Sequence, residues 1–393
     1  MLHCRILIFA LCLLAGSPAA LRADSFYSSM GLGLPSYFVS PKAVGMGGAG
    51  IGVIDALALN AMNPAAIDVR GVTTIAVDSK YESTDNKNAL AKVNTRQGQA
   101  SGFRFVIPLK RSLNVIAALK PLTQSRYLFK ASSRIEDLDY SRTIRGNGGL
   151  SAGSFGVQAQ LNRWLALAAV GNLNFGNFEE QWKTDFENTQ YRDTADEIVS
   201  HLWGVNFEFG AVLTPYERVT LGLTFKSSSD LNAEVQTTLG SSLRLEPQQP
   251  SATLPMAFGI GISAPVAKFT LALDYYQRSW SDSRFEHSYS DYRRFSGGIE
   301  FIDSTDPYSA YSRRIPLRLG AYVAQLPFTN AGGGAVSEQF VSFGFGLPFY
   351  SNRGRLDFAL EVGKRGNIQD FSYEETIYRF SASITTGELW FQR

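Results

Sequence analysis

Three histidines and two cysteines are all that this chain of 393 residues holds for building a nucleophile–base pair or a soft metal site. His3, Cys4 and Cys12 fall at the extreme N-terminus, which leaves His201 and His287 for the rest. A lipase-like site needs a nucleophile oriented against a histidine, and no serine motif stands beside either one. Two histidines without cysteine are a poor ligand set for zinc. The acidic pairs Glu179-Glu180 and Glu374-Glu375 read as solvated loop or rim residues. Gly45-Met46-Gly47-Gly48-Ala49-Gly50 fits G-x-G-x-x-G, but dinucleotide binding needs a strand before that pattern and a helix after it. No apolar strand precedes it, so the glycines read as places where the backbone turns and packs closely. The residue types point away from an enzyme and imply no cofactor.

Two prolines carry more information. In Asn63-Pro64-Ala65, Pro64 fixes its own φ and restricts Asn63, presenting an amide at a rigid bend. That amide has both donors and an acceptor, and it could bond to backbone that a strand defect leaves unpaired. The plainer reading is a helix stop with a capping amide. Pro121, after Lys120, falls inside a predicted strand, where a residue without an N–H marks a bulge, an edge or a gap. Both readings depend on the elements that hold these residues.

Those elements are strands. From about residue 72 onward apolar and polar residues alternate: Val219, Leu221, Leu223 and Phe225 interleave with Thr220, Gly222, Thr224 and Lys226. Strands are predicted near 72–83, 99–108, 112–130, 140–161, 164–186, 198–214, 218–239, 253–265, 268–285, 290–303, 313–325, 337–350, 354–368 and 374–391. The alternation is blurred in 290–303 by Tyr292, Arg293 and Arg294. Short connections alternate with long polar ones, as periplasmic turns alternate with outer loops in outer-membrane barrels. Arg5, the apolar run Ile6–Gly16 and the small residues Ala20 and Ala23 read as a signal peptide. No segment approaches 18 uninterrupted apolar residues, so a membrane location requires a closed barrel. Net charge is +2, which gives no electrostatic case for nucleic acid. The domains expected are a signal peptide (1–23), a Gly- and Ala-rich element that does not alternate (24–71) and an all-β transmembrane barrel of about 14 strands (72–393). Asp55 is expected to cap a short helix that runs to about Met62.

The stretch Ser40-Pro41-Lys42-Ala43-Val44-Gly45-Met46-Gly47-Gly48-Ala49-Gly50, with Asp55 to Asn60 and Asn63-Pro64-Ala65-Ala66, resembles the N-terminal hatch of the FadL-type outer-membrane transporters. PorV-like barrels share the Met-Gly-Gly-Ala and Asn-Pro-Ala elements. The resemblance implies a 14-stranded barrel plugged by a hatch in the bacterial outer membrane. It also implies passive uptake of small hydrophobic compounds such as long-chain fatty acids. Met46, Gly47, Gly48, Asn63, Pro64 and Ala65 would then belong to the hatch and its gating. Lys120 and Pro121 would mark a gap in the third strand, against the plainer reading of a bulge at the outer rim. Phe38, Leu57 and Leu59 are candidates for lining an apolar pocket, and Lys42 or a lumenal arginine for anchoring a carboxylate. Implied partners are a hydrophobic ligand, outer-membrane lipid and the barrel-assembly machinery. A secreted protein joins them if the chain is instead a PorV-like scaffold. The final strand alternates Tyr378, Phe380, Ala382 and Ile384, but Gln392 and Arg393 follow the terminal aromatic pair Trp390-Phe391.

Overall fold

The computed structural model describes residues 25–388, apart from 38, 56, 58, 69–70, 111, 136–137, 188–189, 217–218, 241–242, 284–288, 331–332 and 350–352. The predicted signal peptide, His287 and the Trp390-Phe391 pair lie outside the described residues. Fourteen wall strands run antiparallel in chain order. They are β1 (Thr73–Lys87), β2 (Lys92–Lys110), β3 (Leu113–Pro121 and Thr123–Ile135), β4 (Leu138–Asn162), β5 (Leu165–Phe186), β6 (Thr194–Tyr216), β7 (Val219–Lys226 and Ser229–Leu239), β8 (Ser251–Leu254 and Ala257–Val266), β9 (Phe269–Arg278), β10 (Tyr292–Phe301), β11 (Leu317–Thr329), β12 (Ala335–Phe349), β13 (Gly354–Asn367) and β14 (Tyr373–Glu388). Register from Glu374↔Lys87 to Glu388↔Thr73 joins β14 to β1 and closes the barrel. The blurred segment is a strand after all, because Tyr292 and Arg294 point inward while Arg293 points out.

The two faces of the wall are inverted relative to a soluble protein. Phe207, Leu273, Leu319, Val341 and Leu360 are exposed. Their chain neighbours Glu208, Asp274, Arg318, Ser342 and Glu361 are buried. Period-2 alternation therefore puts the apolar set outside and the charged set inside, the arrangement of a barrel whose solvent is lipid. Among the described residues no helix is long and apolar enough to cross a membrane.

Wall height is uneven. β4 has 25 residues and β9 has 10. At about 3.3 Å per residue and a 45° tilt these rise roughly 58 and 23 Å, against an apolar band about 25 Å tall. The tall hairpins carry a ladder of rings, Tyr140 with Phe186 and Phe186 with Tyr191.

The N-terminal segment occupies the interior. It begins at the outer end, where the Phe26 ring stacks 3.8 Å from Tyr373. It descends past the two-residue strand Leu34–Pro35 to helix α1 (Pro41–Gly45). Ser40 caps α1 by accepting from the Ala43 N–H, and Pro41 opens the first turn, where no N–H is needed. The helix expected from Asp55 to Met62 does not form among the described residues. Asp55 does accept from the Leu57 N–H, but Lys42 and Arg355 also take its carboxylate. Leu59 has φ +24°, which no helix accommodates.

Candidate functional site

Close backbone approach fixes the lower part of the N-terminal segment. A Cβ built on Gly320 of β11 would lie 2.0 Å from the Gly47 nitrogen, and one on Gly222 of β7 would lie 2.0 Å from the Ile51 carbonyl oxygen. Only glycine at those wall positions lets two backbones pass this close. Polar contacts complete the seat. Gly47 N–H donates to Ser342 Oγ (3.0 Å), and Arg294 donates to the Gly47 carbonyl (3.1 Å). Asp274 Oδ2 accepts the N–H groups of Gly50 (2.6 Å) and Ile51 (2.8 Å). The Asn63 amide is fully buried. It donates to the carbonyls of Ile51 and of Ala211 in β6, both at 3.0 Å, and its oxygen accepts from Ala65 N–H.

Ion pairs lock the same region at the periplasmic end. Lys42 meets Asp55 at 2.6 Å and Glu300 at 3.2 Å. Arg355 meets Asp55 at 2.9 Å and Asp357 at 2.8 Å, and Arg318 lies 2.7 Å from both Glu300 and Asp357. Three cations face three carboxylates, so the network is neutral. Burial alone would raise the Asp55 pKa, but Arg355 and Lys42 hold it well below the usual carboxylate range.

The wall has a seam. β2 pairs with β3 only from Lys110↔Leu113 to Phe103↔Leu119. Beyond Pro121, β3 stays paired with β4 but has no register with residues 92–102 of β2 among the described residues. Its free edge is met instead by the N-terminal segment, through Leu34↔Gln124 and Pro35↔Thr123. Ser36 N–H adds a bond to the Leu122 carbonyl (2.8 Å). A side-chain hydrogen bond from Gln124 to Gln97 spans the seam itself. Eight residues separate Leu113 from Pro121, so the seam opens roughly 19 Å above the periplasmic turn, inside the apolar band.

Two interior cavities flank this strap. One, of about 120 Å³, is bounded by Leu34–Tyr37, Pro121, Gln97 and Gln99, with Arg294 and Arg379 behind. The other, of about 40 Å³, is bounded by Pro35–Tyr37, Lys120, Leu122 and Trp280. Pro35, Ser36, Tyr37 and Tyr292 wall both.

The family model described as BamG matches residues 1–393. The chain belongs to the BamG family. None of the curated proteins is significantly similar to it. Among solved structures, a Pseudomonas aeruginosa FadL homologue matches this BamG-family barrel with a TM-score of 0.64 at 13% identity, covering 91% of this chain and 100% of that one. The toluene transporter TbuX of Ralstonia pickettii gives 0.59 at 14%, covering 88% and 97%. The toluene transporter TodX of Pseudomonas putida gives 0.58 at 15%, covering 91% and 99%. Likeness at this identity is likeness of fold: a closed antiparallel barrel of 14 strands.

In this BamG-family barrel the residues singled out from sequence fall in separate places. Met46 is fully buried with Ala49, Val53 and Ala272, and Gly47 and Gly48 turn against β10 and β11. Asn63, Pro64 and Ala65 sit on β6, so the Asn63 amide meets an intact ladder there rather than a strand defect. Lys120 and Pro121 border the seam. Phe38 lies outside the described residues. Leu57 borders the periplasmic mouth, while Leu59 packs with Ile67, Ala76, Val106 and Ile116, so the two do not line one apolar pocket. Lys42 is consumed by ion pairs. His201 is exposed on β6 beside Asn177. The Leu34–Ser36 strap went unnoticed in the sequence, because two residues carry no periodicity. Its one signal was Pro35, a residue suited to a strand edge.

Proposed function

We propose that this barrel sits in the bacterial outer membrane, inserted by the barrel-assembly machinery and belted by lipid. There it passes small hydrophobic compounds, such as long-chain fatty acids, inward without energy input. One observation carries the reading: the ladder between β2 and β3 ends at Phe103–Leu119, and a short strap of the N-terminal segment covers the opening. A seam within the apolar band lets cargo leave sideways into lipid without crossing the charged lumen. The interior cavities at the strap, about 120 and 40 Å³, are small beside the roughly 300–1,000 Å³ of a typical ligand pocket. Passage therefore requires the strap to move, which unites the two cavities and connects them to the seam.

A cysteine pair at Leu34 and Gln124 tests this. The two residues face each other across an antiparallel pair, at a spacing suited to a disulfide. No native cysteine lies among the described residues. Cells carrying Leu34→Cys/Gln124→Cys should take up a labelled hydrophobic compound slowly when oxidised and normally after reduction. Equal uptake in both states would refute the strap as a gate.

One observation favours a second reading, a PorV-like scaffold for secreted proteins. β4, β5 and β6 rise well beyond the apolar band and present Trp182 and Tyr191 at their outer ends. On that reading the oxidised pair leaves the phenotype unchanged, and loss of the hairpin tips abolishes it.

A further inference from the structure

The outer face of the wall is not evenly filled. Across β9 to β13 the outward side chains stand in rows set by strand register. The row nearest the periplasm holds Phe269, Phe301, Phe345 and Phe358, an aromatic girdle at that interface. Two rows farther out the registers Leu273↔Gly297, Gly297↔Ala321, Ala321↔Val341 and Val341↔Val362 set glycine beside alanine. The small pair sinks the middle of this row between Leu273 and Val341, and Phe295 and Val323 stand above it. The result is a concavity of about 820 Å³ that opens to the lipid side. A Cβ built on Gly297 would meet nothing nearer than the tip of Leu273 at 3.0 Å, so the floor lies open.

The outer rim of the concavity is polar. Arg293 faces outward one step beyond Phe295 on β10. Eight residues separate it from Phe301, which puts it roughly 19 Å above the girdle, near the outer edge of an apolar band about 25 Å tall. A hydrogen-bonded line holds it there. The Tyr275 hydroxyl donates to Gln277 Oε1 (2.6 Å), Gln277 Nε2 donates to Asp291 Oδ2 (2.9 Å), and Asp291 lies 3.5 Å from Arg293. Ser281 Oγ donates to the other Asp291 oxygen (2.6 Å). Asp291 is recessed, its side chain 14% exposed, whereas the Arg293 side chain is 51% exposed. The far side of the concavity repeats the pattern: Lys364 is 66% exposed and lies 3.6 Å from Glu374, which is 28% exposed. Both cations reach farther outward than their carboxylates, so the rim presents positive charge where lipid headgroups lie.

Lipid tails are as apolar as leucine, so a groove on this face gains nothing from apolar transfer and selects its occupant by shape and by headgroup. We propose that the concavity over Gly297 and Ala321 seats one outer-leaflet lipid with several acyl chains and a phosphorylated headgroup, the chains in the groove and a phosphate on Arg293, with Lys364 beside it. Five strands at about 4.8 Å spacing make the face about 19 Å wide, room for several chains side by side. Guanidinium suits phosphate because its planar fork donates two parallel hydrogen bonds, and Asp291 at 3.5 Å leaves most of the five Arg293 donors to the headgroup. Lys364 extends along the apolar wall and carries its ammonium toward the same interface. The inference rests on the outer-membrane placement proposed above and is independent of what passes through the lumen.

The test is titration of the delipidated full-length barrel, in non-ionic detergent, with lipid A and with dephosphorylated lipid A, read by native mass spectrometry as lipid bound per barrel. Lipid A should bind one to one and about ten-fold tighter than its dephosphorylated form. Gly297→Leu and Ala321→Leu fill the floor from outside and should each weaken both forms about ten-fold. Arg293→Gln should weaken lipid A about ten-fold and leave the dephosphorylated form unchanged. Gel mobility of the unheated barrel shows whether each variant is folded. If folded Gly297→Leu binds lipid A as tightly as the parent chain, the concavity is not the seat and the proposal falls. It falls also if both forms bind alike and Arg293→Gln alters neither. Unchanged lipid binding together with a smaller detergent-solubilised particle for Gly297→Leu would show that the concavity seats another protein chain instead. These substitutions leave the strap and the seam untouched, so any of these failures leaves the uptake reading standing. A parent barrel that does not partition with outer membranes would overturn both.

Discussion

Below its outer end, where Ser25 to Ser28 meet Glu375, Tyr373 and Arg126, the N-terminal segment touches the wall in two further regions by different physics. From Pro41 to Ile67 it lies backbone against backbone on inward-facing glycines, ties its polar groups to Ser342, Asp274 and Ala211, and ends in a neutral ion network. At Leu34–Ser36 it makes a two-residue ladder and one further bond to an edge that would otherwise be open. The lower region cannot shift without breaking many contacts at once. The strap can lift by giving up about three backbone hydrogen bonds, each worth about 0.5–1.5 kcal/mol net. The contrast teaches that the segment is not one moving plug. A fixed anchor holds a short releasable strap at the seam.

The strongest way to break this contrast is to fill the anchor's closest approach. Gly320→Val places side-chain atoms where the Met46–Gly47 backbone runs. Overpacking against side chains costs about 1–3 kcal/mol, and an obstacle made of backbone should cost more. The expected result is loss of the folded band on an unheated gel, or a barrel whose segment 25–67 is cut by protease. Gly171→Ala, where a Cβ meets nothing closer than 3.8 Å, should behave as wild type. A stable, protease-resistant Gly320→Val barrel would mean the anchor is looser than its geometry.

How far this arrangement was legible in the sequence differs between wall and interior. Alternation located every wall strand because each has one face in lipid and one in the lumen, and period 2 records that directly. Val341, Phe343 and Phe345 fall outward in β12 as their spacing dictates. Strand ends were less legible. β2 begins at Lys92, well before the predicted 99, because its outer part is polar on both faces above the membrane. The interior was barely legible. Ion pairs such as Arg318–Asp357 join strands 39 residues apart in sequence, and no local pattern encodes them. Pro121 could be singled out because proline is a local constraint, whereas the Leu34–Ser36 strap beside it lies far back in the chain and carries no periodicity. Asp55 looked like a helix cap because the sequence does not show that Arg355 would reach it.

A smaller effect is expected at Asn63. Removing its amide by Asn63→Ala leaves the Ile51 and Ala211 carbonyls and the Ala65 N–H each short of a buried partner. A cost of about 1–3 kcal/mol follows, enough to lower the melting temperature while the barrel still assembles. If the anchor is a single unit, this loss should also expose residues 41–67 to protease. If only local melting appears and the ion network still holds Lys42 and Asp55, the anchor divides into two parts.

Pro121→Val should have the least effect on stability and the most specific effect on passage. Valine restores an N–H and suits a strand, so the β2–β3 ladder gains the chance to extend past Phe103–Leu119. Stability should change by less than about 1 kcal/mol, because β3 keeps its pairing with β4 through Pro121↔Ser151 and Leu122–Leu150 either way. Uptake should slow several-fold as the seam narrows. Unchanged uptake with unchanged stability would assign the divergence of the strands elsewhere. The candidate is then Gly149, where a Cβ would lie 2.4 Å from the Thr123 carbonyl oxygen, a contact that draws β3 toward β4 and away from β2. In that case Gly149→Ala, rather than any change at Pro121, should push β3 back and close the seam.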